Sequence, residues 1–114
     1  MSPGSPEIIP ASAAPLFAAL GDETRLQLLS RLHDGRPRSL VQLTDGSGLT
    51  RQGISKHLRV LELAGVVRNR RIGRERQFVL EPAGLERARK YLERASRQWD
   101  HAAARLRVFV SAAR

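Results

Sequence analysis

Residues 50–62 read Thr50-Arg51-Gln52-Gly53-Ile54-Ser55-Lys56-His57-Leu58-Arg59-Val60-Leu61-Glu62, and two patterns run through them at once. Ile54, Leu58 and Leu61 fall at i, i+4 and i+7, the inward stripe of an amphipathic helix. The opposite face carries Arg51, Gln52, Ser55, Lys56 and Arg59, with no acid before Glu62. Thr50 offers an N-cap hydroxyl and Gly65 a left-handed stop, so a helix is expected over 50–64.

The segment just upstream makes this helix the second of a pair. Ser39-Leu40-Val41-Gln42 is a capping box, in which the Ser hydroxyl reaches the N3 amide and Gln42 reaches back. The helix it opens is short, about 40–45, because Asp45-Gly46-Ser47-Gly48 is turn chemistry. Two consecutive helices joined by a Gly-containing turn form the layout that lays the second helix in the major groove of DNA.

Downstream, the period changes from helical to alternating. Val66 to Arg71 and Arg76 to Leu80 favour β-structure and flank Ile72-Gly73-Arg74-Glu75, which predicts a hairpin with a basic, Gly-containing tip. Such a wing, carrying Arg68, Arg70, Arg71, Arg74 and Arg76, can reach the adjacent minor groove or backbone. From Pro82 the chain reads as helix to about Val110. Leu85, Ala88, Leu92, Ala95, Trp99, Ala102, Leu106 and Phe109 follow one another at 3,4 spacing.

Toward the N-terminus, residues 1–11 are expected to be a flexible arm, with three of the six prolines in the first ten positions. A helix over 12–20 should place Ala13, Leu16, Phe17 and Leu20 on one face. Asp22 can cap a second helix over 23–33, with Leu26, Leu29 and Leu32 turned inward. Pro37 keeps the following connection out of helix. The expected fold is mainly α with a β-hairpin wing, in the order α-α-α-α-β-β-α: a winged helix-turn-helix domain over residues 12–112.

Charge points to the partner. The chain carries 20 Lys and Arg against 11 acids, a net of +9, and eighteen of the twenty are Arg. The excess sits in the second half, where residues 51–114 hold sixteen basic residues against six acids. Such density attracts a polyanion, and the planar guanidinium fork suits phosphates and guanine edges. On the helix of 50–64, Thr50, Arg51, Gln52, Ser55, Lys56, His57 and Arg59 are the candidate DNA contacts. Arg51 and Gln52, in the first turn, are placed to read guanine and adenine edges, and Lys56 and Arg59 to hold phosphates. Arg71, Arg74 and Arg76 are the candidate contacts from the wing. His57 either braces the helix or touches a phosphate. Gly53 costs roughly 1 kcal/mol inside a helix, which suggests close approach of its backbone to DNA or to the preceding helix.

Several stretches are recognisable together: Leu20-Gly21-Asp22-Glu23-Thr24-Arg25-Leu26, then Gly48 to Glu62, then Ala64-Gly65-Val66-Val67. They resemble the ArsR family of bacterial winged-helix repressors, over about 16–109. The resemblance implies a homodimer built from the first and last helices, DNA binding through the Thr50 helix and wing, and negative control of the protein's own operon. It also implies a cytoplasmic, nucleoid-associated bacterial protein. The family is best known for metal sensing. Here its thiolate site on the third helix is Leu40-Val41-Gln42-Leu43, and Asp100-His101 is the one carboxylate–His pair on the last helix. No metal or cofactor is therefore expected, and the last helix looks more like the metal-free branch. Asp45-Gly46-Ser47 departs from relatives, which usually continue the helix there.

The last helix also argues for two subunits. At 1.5 Å per residue it would run roughly 40 Å, farther than a compact domain of this size is wide. Its apolar stripe must then project beyond its own core. Leu16, Phe17, Leu92, Trp99, Leu106 and Phe109 are the candidate dimer contacts.

Two other readings compete with a DNA-binding regulator. One is a winged-helix module that docks protein or RNA. The other is an enzyme, which the residues disfavour: cysteine is absent, three histidines are scattered, and no glycine-rich phosphate loop or acid–base pair is present. The start MSPGSPEIIP has neither the basic nor the apolar region of a signal peptide, and no apolar run approaches the roughly 18 residues of a membrane span. Lack of cysteine fits a reducing compartment. The residues name no effector, and a small molecule, a partner protein or simple autoregulation all stay open.

Overall fold

A computed structural model describes residues 10–112. A 3-10 turn, Ala11–Ala13, leads into α1 (Ala14–Leu20), followed by α2 (Glu23–Arg31), β1 (Arg38–Ser39), α3 (Leu40–Thr44) and α4 (Arg51–Leu63). The hairpin strands β2 (Val67–Ile72) and β3 (Glu75–Leu80) come next, and α5 (Pro82–Ala112) closes the chain. Most of the arm expected over 1–11 lies outside the described residues, and Ala11 already belongs to the 3-10 turn.

The expected order lacked one element. β1 adds a third strand to the sheet, in the order β1-β3-β2, pairing Arg38 with Phe78 and Ser39 with Gln77. Two residues are too few to show a period of two, and the pairing partner lies about forty positions away. Immediately after Pro37, β1 takes the edge, where a missing ladder donor costs nothing.

The caps form as the sequence requires. Asp22 accepts from Arg25 N, Thr50 from Gly53 N, and Ser39 and Gln42 complete a reciprocal box at 3.2 and 2.8 Å. The hairpin loop is the dipeptide Gly73-Arg74 between the paired residues Ile72 and Glu75. Gly73 has φ +64° and Arg74 a negative φ, the combination that a type II′ turn demands of its two central residues.

One core serves the whole domain. Leu28, Leu32, Leu43, Ile54, Leu58, Leu61, Val66, Val67, Phe78 and Ala88 are buried together, so both hairpin strands and α5 close over the helix pair. Two expectations change here. In α2 the inward residues are Leu28 and Leu32, with Leu29 half-buried, whereas Leu26 is 51% exposed. The helix stops at Arg31, and Leu32 enters the core from the cap position. Leu16, a candidate dimer contact, is only 6% exposed and belongs to the chain's own core.

Asp22, the N-cap of α2, makes the start of that helix sensitive to acid. The backbone amide of Arg25 holds the Asp22 carboxyl below its ordinary value of 3.8, aided by the Arg25 charge. A depressed carboxyl stabilises the fold above its ordinary value, and that contribution is lost as pH falls through the folded value. Asp22→Asn keeps a capping oxygen but cannot titrate. It is expected to flatten the loss of thermal stability below pH 4, as measured by circular dichroism melts.

Candidate nucleic-acid interface

The face of α4 turned away from the core carries the expected set. Thr50, Arg51, Gln52, Ser55, Lys56 and Arg59 are all exposed, while Ile54, Leu58 and Leu61 beneath them are fully buried. Among the described residues, neither Arg51, Lys56 nor Arg59 has a carboxylate within salt-bridge distance. Glu62, the acid that closes the run, is drawn aside by a short hydrogen bond from Asn69 Nδ2 on β2. This bond also fixes the wing against α4. Thr50 caps the first turn of α4 by accepting from the Gly53 amide, and the positive end of the helix dipole lies behind Arg51 and Gln52.

His57 departs from this set. It is half-buried, with Nδ1 at 3.2 Å from Arg25 Nη1 and 3.8 Å from Asp22 Oδ2. A guanidinium has only N–H donors, so Nδ1 accepts and the ring faces α2 rather than the open face. Of its two expected roles, the structure shows the brace. Arg25 also donates to Ala19 O at 2.7 Å and Ala18 O at 3.2 Å, so a single side chain ties the end of α1 to α4.

A second such clamp was not expected from the sequence. Arg31, in the last turn of α2, donates to Gln42 O at 2.6 Å, Leu43 O at 2.7 Å and Asp45 O at 3.2 Å. Those are carbonyls that α3 leaves unpaired at its end. The turn of 45–50 is thereby anchored at its start. An Arg in a last turn is the one signal in the sequence, and it does not reveal that the recipient is another helix.

The hairpin register sorts the wing arginines onto two faces. Val67 opposes Leu80, Asn69 opposes Phe78 and Arg71 opposes Arg76, whereas Arg68 opposes Val79 and Arg70 opposes Gln77. Side chains of directly opposed residues share a face and successive residues alternate. Val67 and Phe78 are buried and Asn69 reaches α4, so Arg71 and Arg76 extend the face that looks toward α4. Arg68 and Arg70 lie on the other face, where Arg68 approaches Glu81 at 3.4 Å. Like charges directly opposite one another destabilise a ladder. The Arg71–Arg76 pair is therefore a local cost that a polyanion would relieve. Arg74 sits at the exposed tip.

The chain matches a family model described as a helix-turn-helix domain over residues 20–70, a span that runs from the end of α1 into β2. A solved structure, an ArsR-like transcriptional regulator from Rhodococcus sp. RHA1, superposes with a TM-score of 0.76 at 33% identity, covering 90% of this chain and 93% of that one. The chain belongs to the ArsR family of helix-turn-helix transcriptional regulators. Among curated proteins it is 38% identical to the uncharacterized HTH-type transcriptional regulator YuzN of Bacillus subtilis, across 62% of this chain and 84% of that protein. It is 37% identical to the HTH-type transcriptional regulator Rv2034 of Mycobacterium tuberculosis, across 68% and 72%. DNA-binding regulation, rather than catalysis, is the business of this family member. Among the described residues, no helix is long and apolar enough to cross a membrane.

Gly53 stands inside this interface without a packing reason. A Cβ built there meets only Thr50 Oγ1 at 3.4 Å and Leu49 Cβ at 3.9 Å, both ordinary approaches, and nothing from α3. The preceding helix does not require the glycine. Gly53→Ala is expected to raise the urea midpoint, by up to about 1 kcal/mol of helix propensity.

Proposed function

We propose that this ArsR-family regulator is a homodimeric repressor that reads its operator with α4 and holds the flanking backbone with its wing, without sensing a metal. The observation that carries the reading is one surface: the acid-free face of α4 continues into the side of the wing that bears Arg71 and Arg76. Arg51 and Gln52 are the base-reading residues. Ser55, Lys56, Arg59, Arg71, Arg74 and Arg76 contact phosphates, Thr50 orients the helix N-terminus, and the Gly53 backbone lies against DNA. Repression follows if occupancy of the operator excludes the transcription machinery. The working compartment is the cytoplasm, on the nucleoid.

The dimer rests on α5. Its 31 residues span about 46 Å at 1.5 Å per residue. Ala88 and Ala95 are buried against the domain, but Leu92, Trp99, Leu106 and Phe109 are 47 to 69% exposed on the same stripe. Phe17 of α1 packs on Tyr91 with ring centroids 6.2 Å apart, so α1 lies beside this stripe. A second copy of α5 would cover it. Metal-independent action is supported by the donor set, since no cysteine is present in the 114 residues.

Fluorescence anisotropy on the DNA upstream of its own gene, paired with sedimentation equilibrium, tests the proposal. A salt-sensitive complex of one dimer per duplex, far tighter than on a random duplex, is expected. Equal affinity for random DNA, or capture of RNA or protein in preference to any duplex, contradicts it. Within that assay Arg74→Ala should weaken all sequences alike and lower the slope of log K against log salt by about one for each phosphate no longer held.

A further inference from the structure

The second half of α5 carries a feature that DNA reading by α4 and the wing does not use. Arg94, Arg97, Gln98, His101 and Arg105 line one groove of about 400 Å³ on the helix surface. Their spacing of three and four residues sets them on a continuous stripe. Its centre lies about two fifths of a turn around the helix from Leu92, Trp99 and Leu106, taking 3.6 residues per turn. Arg94, Arg97 and His101 therefore point away from the apolar side, while Gln98 and Arg105 border it next to Phe109.

The charge on this stripe is uncompensated. Upstream, Arg89 is bridged by Glu86 and Glu93, which together lift its pKa above the ordinary guanidinium value. From residue 94 to 107 the chain has four Arg and one acid, Asp100. Among the described residues, neither Asp100 nor any other carboxylate comes within 4.0 Å of Arg94, Arg97 or Arg105. Arg94 has only the Tyr91 ring, at 5.9 Å. Like charges three residues apart, as at Arg94 and Arg97, work against a helix. Guanidinium forks flanked by an amide and an imidazole offer many N–H donors and no fixed negative charge.

We infer that this stripe is a binding site for a small oligoanion, a ligand with two or more phosphate or carboxylate groups. Arg94, Arg97 and Arg105 take its charged oxygens in forked hydrogen bonds, and Gln98 and His101 complete the donor set. The groove is open and built from one helix, so charge and hydrogen bonding rather than enclosure hold the ligand. The stripe rises about 16 Å from Arg94 to Arg105, and the long side chains line one common groove. Placed on α5, such a ligand sits apart from the reading face and is free to bind while DNA is held.

The test is a nuclear magnetic resonance titration of the full chain with pyrophosphate, and separately with citrate, at constant ionic strength. Saturable shifts confined to residues 94–105 are expected with at least one probe, and the responding probe separates phosphate from carboxylate chemistry. The variant carrying Arg94→Gln, Arg97→Gln and Arg105→Gln should keep its circular dichroism melt, all three positions being exposed. It should bind the responding probe roughly tenfold or more weakly, as befits loss of three charged hydrogen-bond donors. Shifts no larger than those from sodium chloride, or an affinity unaltered in the variant, would overturn the site. Shifts at 94–105 from a short random duplex but from neither probe would also overturn it, and would assign the stripe to a second DNA contact.

Discussion

Gly84→Ala is expected to destabilise the domain more than any other conservative substitution in α5. Gly84 lies in the first turn of α5, buried against the backbone of residues 65 and 66. A Cβ there would stand 1.9 Å from Gly65 O and 2.5 Å from Gly65 C. Both are backbone atoms, so no side-chain rotation relieves the clash. Gly65 itself cannot yield easily. It has φ +80° as the left-handed stop of α4, and its amide is engaged with Glu62 O at 2.9 Å. Relief requires α5 to back away from α4, opening the packing that buries Val66 and Ala88. Overpacking of this kind costs about 3 kcal/mol, a large share of a total stability of about 5–15 kcal/mol. A calorimetric melt should show Tm lowered by more than about 10 °C. Ala83→Gly, one residue earlier and exposed, should cost no more than about 1 kcal/mol. Equal melts for the two variants would mean that α5 does not rest on the α4 stop.

The second large effect concerns recognition and leaves the fold alone. Arg51→Ala and Gln52→Ala remove exposed side chains without hydrogen-bond partners inside the chain among the described residues, so each melt should match the wild type. On an operator, removing a side chain that truly reads a base costs about 1–3 kcal/mol, and a two-fold dimer suffers this at both half-sites. Arg51→Ala also removes a positive charge, so it weakens random DNA modestly. Gln52→Ala does not. The signature is a collapse of the ratio between operator and random affinity, measured by anisotropy at one salt concentration. Arg74→Ala should leave that ratio intact.

The contrast between what the residues announced and what they hid has a physical pattern. Local chemistry was legible: the Ser39–Gln42 box, the caps Asp22 and Thr50, the stop at Gly65 and the Gly73-Arg74 turn each depend on residues within three or four positions. The stripe of Ile54, Leu58 and Leu61 was legible for the same reason, being one helix with one buried face. What escaped were interactions between distant segments. β1 exists only because β3 offers it a ladder. Arg31 and Arg25 look like surface charges until α3 and α1 turn their carbonyl ends toward them. His57 sits within the reading helix at a position whose direction is set by α2 rather than by the helix's own pattern. Leu28 and Leu32, four residues apart on one face, take the core in place of Leu26. The wing arginines also looked equivalent in sequence, and only the register separates Arg71 and Arg76 from Arg68 and Arg70.

That separation sharpens the surface proposed to face DNA. It runs from the first turn of α4 along Ser55, Lys56 and Arg59, and continues on the inner side of the wing, with Asn69 and Glu62 pinning the two parts together. Arg25 and Arg31 give this surface its rigidity, as they fasten α4 and the preceding turn to α1 and α2.

Selection of bound duplexes from a random-sequence library, followed by sequencing, tests the central claim most directly. The predicted result is enrichment of an inverted repeat whose half-sites are centred about one helical turn, roughly 10 base pairs, apart. Enrichment should disappear with the Arg51→Ala, Gln52→Ala double variant. A library that emerges unenriched, or enriched for one unrepeated half-site, would contradict a two-fold reader built on α4.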